Sequence, residues 1–199
     1  MIEAINNFDI GILEFIYENL RTPFLDVFFK IVTHFGDAIV FIIGALILVS
    51  FKKTRKAGVM FAVALVLGLL VCNCGLKPIV ARIRPYEFVG KVPGVDIDIL
   101  ISKIPSDFSF PSGHTIAWFE AATVAMLIDK KWGIPAVIMA VIVSFSRLYI
   151  FVHYPTDVFC SVVLGIGFGI LGYFLVKKYY DAVSERTVAF FKSKKKKAD

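Results

Sequence analysis

Residues 58–80 read GVMFAVALVLGLLVCNCGLKPIV, and no charge interrupts them from Gly58 to Leu76. Crossing about 30 Å of hydrocarbon takes roughly 20 apolar residues in a helix, so this stretch reads as a membrane span. It ends on a cation, Lys77, at the edge of the apolar run. Outward from it, similar runs cover about 27–51, 114 to just before Asp129-Lys130-Lys131, 134–152 and 157–175, while 81–112 is more polar. The whole chain agrees: 58% of its 199 residues are apolar and the mean hydropathy is +0.77, beyond what a soluble domain carries. The reading is an all-α integral membrane helical bundle of about five transmembrane helices.

In residues 1–20, Phe8, Ile12, Phe15, Ile16 and Leu20 recur at helical spacing, with Glu3, Glu14 and Glu18 opposite. That pattern predicts a helix lying on the membrane surface, or else a sixth span. Asp9 falls among the apolar positions and reads as an N-cap. The acidic residues and the absence of Lys and Arg here predict no cleavable leader. Thr22-Pro23 restarts the chain, because proline suits the first turn of a helix. Residues 1–180 read as one transmembrane domain and 181–199 as a basic tail, a solvated charge run.

The net charge of +6 comes largely from Lys52-Lys53-Thr54-Arg55-Lys56 and from the lysines of 192–197. Beside membrane spans such clusters mark the cytoplasmic side and its anionic lipids, which argues against a nucleic-acid partner. With Lys130-Lys131 they alternate correctly for five spans. The N-terminal helix, the loop after Lys77 and the turn around His153 then all face outward at the cell membrane. Cys72-Asn73-Cys74 lacks zinc-site spacing and has no companion pair, so the cysteines read as packing residues.

Three polar motifs sit at the edges of apolar runs. Lys77 and Arg84 are two helical turns apart and can face one way, with Arg82 off that line and Pro85 ending the pattern. Pro111-Ser112-Gly113-His114 precedes a span. Ser112 suits an N-cap, Gly113 lets a ligand approach the backbone, and a helix start attracts anions. Arg147 lies inside the fourth span, where a charge is costly and usually functional or paired. His153-Tyr154-Pro155-Thr156-Asp157 reads as a turn from which Asp157 reaches one ring nitrogen of His153 and leaves the other free to attack. Taken singly, each motif also fits a plain structural role: boundary cations, a helix cap, a His–Asp pair closing a loop. Together, three cations, two imidazoles and a carboxylate suit holding a phosphate, attacking phosphorus and protonating the leaving group.

The pattern Lys77-(six)-Arg84-Pro85, Pro111-Ser112-Gly113-His114 and Ser146-Arg147-(five)-His153-(three)-Asp157 resembles the type 2 phosphatidic acid phosphatase superfamily, matching its three-part signature at every position across 77–157. The resemblance implies metal-independent hydrolysis of a lipid phosphate or pyrophosphate with no cofactor. His153 is then the nucleophile that forms a phosphohistidine, Asp157 orients it, and His114 is the acid for the leaving oxygen. Lys77, Arg84 and Arg147 are phosphate ligands, assisted by Ser112 and Gly113. Substrates of the undecaprenyl pyrophosphate, phosphatidate or phosphatidylglycerol phosphate class follow from the resemblance, and nothing in the sequence reads the lipid tail. Phosphoryl transfer to another acceptor and non-enzymatic lipid-anion transport are the alternatives.

Other polar residues have blander expected roles. His34 and Asp37, near the level of the site in the first span, read as packing or helix–helix hydrogen bonding ahead of substrate contact, and Glu120 as a group with an interhelical partner. The stretch between Pro85 and Pro111, with Asp96, Asp98 and Asp107, lacks calcium-loop spacing and reads as a cover over the phosphate site.

Overall fold

The structure, a computed structural model, describes residues 2–89, 100 and 105–195. All the regular elements among them are helical: α1 (Ile2–Leu20), α2 (Pro23–Val32), a 3₁₀ turn (Thr33–Gly36), α3 (Ala38–Ser50), α4 (Arg55–Gly68), a π-helical segment (Leu69–Leu76), α5 (Lys77–Val80), α6 (Pro85–Val89), α7 (Gly113–Ile128), α8 (Lys130–Tyr149) and α9 (Pro155–Lys195). Asp96 and Asp98 lie outside the described residues.

Among the described residues, three helical stretches are long and apolar enough to cross a membrane: Arg55–Val89, which is interrupted at 81–84, Lys130–Tyr149 and Pro155–Tyr180. The pair Pro23–Gly36 and Ala38–Ser50 makes a fourth if taken as one bent span, and α7 is a shorter apolar helix of 16 residues, about 24 Å. Counting five spans thus requires both of these. α7 is central, packed on α8, α9 and α4, while α3 packs on α4 and α4 on α9. Close approach there depends on small residues. A Cβ on Gly165 would stand 2.7 Å from the Ile116 carbonyl oxygen, and one on Gly169 2.6 Å from Thr123 Cβ. α9 continues past residue 181, into the segment read as a basic tail, as far as Lys195.

The first span departs from the sequence reading. Expected as one run over 27–51, it bends by 52° at Asp37. Thr22 caps α2 through its hydroxyl, which accepts from Leu25 N, and its own N–H faces the Tyr149 hydroxyl at 3.4 Å. Phe29 packs on Phe145 and Tyr149, and Thr33 at the far end meets Arg147. Both ends of α2 therefore meet the last turn of α8, and α3 turns away from α2 by 52°.

α1 is not among the helices apolar enough to cross. Leu13 and Ile16 are buried against the turn after α8, with Leu13 in the cluster of Phe151 and Tyr154 and Ile16 in that of Tyr149 and Ile150, while Phe8 and Phe15 stay exposed. Asp9 is no N-cap. It lies in the interior of α1, fully buried, because Arg82 and Thr156 supply its partners.

Candidate active site

Lys77 and Arg84 do not share a helix. α5 ends at Val80, and Ala81 takes the left-handed conformation (φ 47°), its N–H closing on the Lys77 carbonyl. Pro85 therefore opens α6 instead of ending a helix. The left-handed residue sends Arg82 and Arg84 to different places. Arg84, 2% exposed, still converges with Lys77: both ion-pair with the Asp107 carboxylate, Arg84 Nη2 at 2.6 Å from Oδ1. Arg84 Nε also donates to the Asp107 carbonyl at 2.8 Å, and Nη1 to the Val152 carbonyl at 2.8 Å. Burial would push the Asp107 carboxyl up, but Lys77 and Arg84 hold it down at about 2.

Arg82 was off the expected line and proves central to a second network. Nη2 donates to Asp9 Oδ2 at 2.7 Å and Asn6 Oδ1 at 2.8 Å. Nη1 donates to Asp157 Oδ1 at 2.6 Å and Thr156 Oγ1 at 2.8 Å. Its guanidinium stacks 3.7 Å from the Tyr154 ring centroid. Asp157 is thereby locked, with Ser109 Oγ and Tyr154 N donating to its other oxygen.

His153 lies in the turn between α8 and α9, 2% exposed. Its Nδ1 is 3.6 Å from Asp157 Oδ2 and 3.5 Å from Ser109 Oγ, so carboxylate and hydroxyl both face that nitrogen. Its Nε2 is 3.3 Å from Arg84 Nη1. A guanidinium can only donate, so Nε2 must present its lone pair and Nδ1 carry the hydrogen. Burial pushes this imidazole below its ordinary value. The Asp157 carboxylate opposes that, while Arg84 and Arg147 add to it. The ring is neutral near pH 7, and its Nε2 lone pair faces Arg84 at the edge of the cavity.

α7 begins at Gly113, after a buried Ser112. The Ser112 side chain makes no cap, contrary to expectation: its hydroxyl accepts from Thr115 Oγ1 at 3.1 Å, and its N–H donates to Ser161 Oγ at 2.8 Å. Those bonds pin the start of α7 to α9. Arg147 Nη1 donates to Thr33 Oγ1, whereas its Nε is buried without a hydrogen-bond partner. Of His34 and Asp37, expected to serve packing or helix–helix hydrogen bonding, Asp37 lines the site cavity and His34 stands outside it, exposed. His34 Nδ1 meets Asp37 Oδ2 at 3.0 Å and His114 Nε2 meets Asp37 Oδ1 at 3.5 Å. Glu120 has no interhelical partner for Oε1, which packs so tightly against Gly68 that a Cβ there would stand 2.1 Å away.

A cavity of about 370 Å³ joins these groups. Lys77, Arg84, Asp107, Gly113, His114, Arg147 and His153 line it; Ser112 and Asp157 stand behind it. The π-helical segment adds Asn73, and Phe41, Ile42, Leu65 and Leu69 extend an apolar side toward α3 and α4. Polar donors at one end and an apolar flank at the other suit an amphiphile with an anionic head.

Comparison with known proteins agrees with this architecture. Residues 56–181 match the family model of the PAP2 superfamily. An undecaprenyl-diphosphatase of Sulfolobus acidocaldarius is 34% identical over 66% of this chain, which spans 61% of that protein's length. The lipid A 4'-phosphatase of Bacteroides thetaiotaomicron is 31% identical over 89% of this chain and 81% of its own. Among solved structures, Aquifex aeolicus LpxE superposes with a TM-score of 0.70 at 28% identity, covering 83% of this chain and 94% of that one. A transmembrane PAP2-type phosphatidylglycerolphosphate phosphatase from Bacillus subtilis gives 0.64 at 27% identity, covering 90% and 88%. With the family model matched over more than half its length, the chain belongs to the PAP2 superfamily.

Proposed function

We propose that this protein hydrolyses a lipid phosphate or pyrophosphate through a phosphohistidine on His153, without a metal. The observation that carries the reading is the convergence on one cavity of a lone pair at His153, a second imidazole at His114 and three cations, with the Arg147 Nε donor still unpartnered. His153 Nε2 attacks phosphorus and the N–P bond forms. The P–O bond to the lipid breaks, its electron pair leaving on oxygen, and that oxygen takes a proton from His114. Water then attacks phosphorus and gives its proton to His114, and the N–P pair returns to His153. Lys77, Arg84 and Arg147 balance charge on the phosphoryl oxygens throughout, and Gly113 N–H lies at the anion-attracting start of α7. Asp107 holds two of these cations until a phosphate competes for them.

Purified protein in detergent is expected to release phosphate from at least one of phosphatidate, phosphatidylglycerol phosphate and undecaprenyl pyrophosphate, with the rate unchanged in EDTA. Loss of activity in EDTA, restored by magnesium, would contradict the metal-independent scheme.

The basic segments support a site on the outer face of the cell membrane. Asn19 is exposed near Thr22 at the site end of the bundle, and Thr54 lies at the opposite end. With Cys72, Cys74 and Cys160 replaced, Asn19→Cys should react with an impermeant thiol reagent in intact cells and Thr54→Cys only after lysis. The reverse pattern would turn the site inward.

A further inference from the structure

The break in the first span does more than bend a helix. Its 3₁₀ turn and the residue that follows it make three contacts with residues of the site wall. Thr33 accepts from Arg147, Gly36 lies against the His114 ring, and Asp37 faces His114 Nε2 at 3.5 Å. The fit at Gly36 leaves no room: a Cβ there would stand 2.2 Å from His114 Cδ2 and 2.8 Å from Cγ. Apart from the buried Asp157 behind His153, the charged groups nearest the two imidazoles are Lys77, Arg84 and Arg147, all cationic, with Asp107 already paired to two of them.

The two histidines thus meet opposite partners. Arg84 can only donate, so it selects the lone pair of His153. A carboxylate at neutral pH can only accept, so Asp37 selects an N–H at His114. We infer that Asp37 is a positioning residue that sets His114 up as the proton donor, and that residues 33–37 break the span in order to place it. This rests on the reading of His114 as the leaving-group acid. Asp37 supplies the negative charge an imidazolium needs among three cations, and it fixes the ring through Nε2–H. The other nitrogen, Nδ1, gives its proton to the departing lipid oxygen, and its lone pair then accepts the proton of the attacking water. The ring alternates between imidazolium and the Nε2–H neutral form, both of which Asp37 can bind.

The leaving group supplies the test. An alkyl oxygen needs protonation as the P–O bond breaks, whereas p-nitrophenolate does not. Asp37→Asn is expected to lower kcat/KM for a short-chain phosphatidate by about 10-fold or more, and that for p-nitrophenyl phosphate by less than about 3-fold. A role in folding or in binding the phosphoryl group would reduce both alike. Gly36→Ala, which displaces the ring without touching the carboxylate, is expected to show the same selectivity, and Asp37→Glu to restore part of the loss. His114→Gln serves as the reference. Equal losses on both substrates in His114→Gln would overturn the acid reading itself. Selective loss in His114→Gln with none in Asp37→Asn, or equal loss on both substrates in Asp37→Asn, would overturn the role of Asp37 alone.

Discussion

Replacing His153 by alanine is expected to reduce phosphate release on the order of 10⁴-fold or more while the protein still inserts, purifies and melts much as the parent does. The size follows from losing the nucleophile: His153 Nε2, which Arg84 orients, is the imidazole nitrogen assigned to the attack. Folding is spared because His153 lies in the turn between α8 and α9. The turn itself is held by Arg84 on the Val152 carbonyl and by Asp157 on Tyr154 N. His153→Gln separates the two roles further, since it keeps polarity and removes the imidazole. Turnover within about 10-fold of the parent in purified His153→Ala would remove His153 from the chemistry.

The second large effect is expected at Arg82, which touches no part of the cavity. Arg82→Met leaves two carboxylates buried without their cation, Asp9 and Asp157, both 0% exposed. Breaking a buried ion pair from one side costs about 3–5 kcal/mol, which for a chain of this size is a fall in melting temperature of roughly 10 °C. Activity should fall as well, because Asp157 and Ser109 lose the anchor that orients His153. Asp9→Asn removes one of those charges and keeps Arg82 on Asp157, so it should fall between the parent and Arg82→Met in stability. A variant of Arg82 that melts with the parent would show that α1 is not tied to the site through this network.

The positions proposed for the chemistry could be named from the order and spacing of their motifs. Lys77, Arg84, His114, Arg147 and His153 all reach one cavity although they sit on or beside different helices. The apolar runs likewise gave most helices and several of their limits: Thr22 and Asp129 cap α2 and α8 as their residue types suggest, and Pro155 opens α9. Hidden from the sequence were the groups that hold those positions in place. Asp9 meets Arg82 across 73 residues and Thr33 meets Arg147 across 114, separations at which no periodicity speaks. The bend at residues 33–37 was missed for a related reason. His34, Gly36 and Asp37 interrupt an apolar run only briefly, and composition cannot tell a break from a boundary until the partner across the site is known. Gly36 beside a polar residue was the one local signal. Helical geometry misled at Lys77 and Arg84, where the left-handed Ala81 ends the helix and convergence on Asp107 replaces a shared face.

The central claim is that a phosphoryl group passes through His153. Its most direct test is rapid acid-free quenching of the enzyme during turnover of a lipid labelled in its phosphate, followed by peptide mapping. The account predicts an acid-labile, base-stable phosphoryl group on the peptide carrying His153, absent from His153→Ala and increased where water attack is slowed by His114→Gln with an activated aryl phosphate. A phosphoryl group mapped to another residue, or transfer to water with no labelled enzyme at any stage of a turnover, would contradict it.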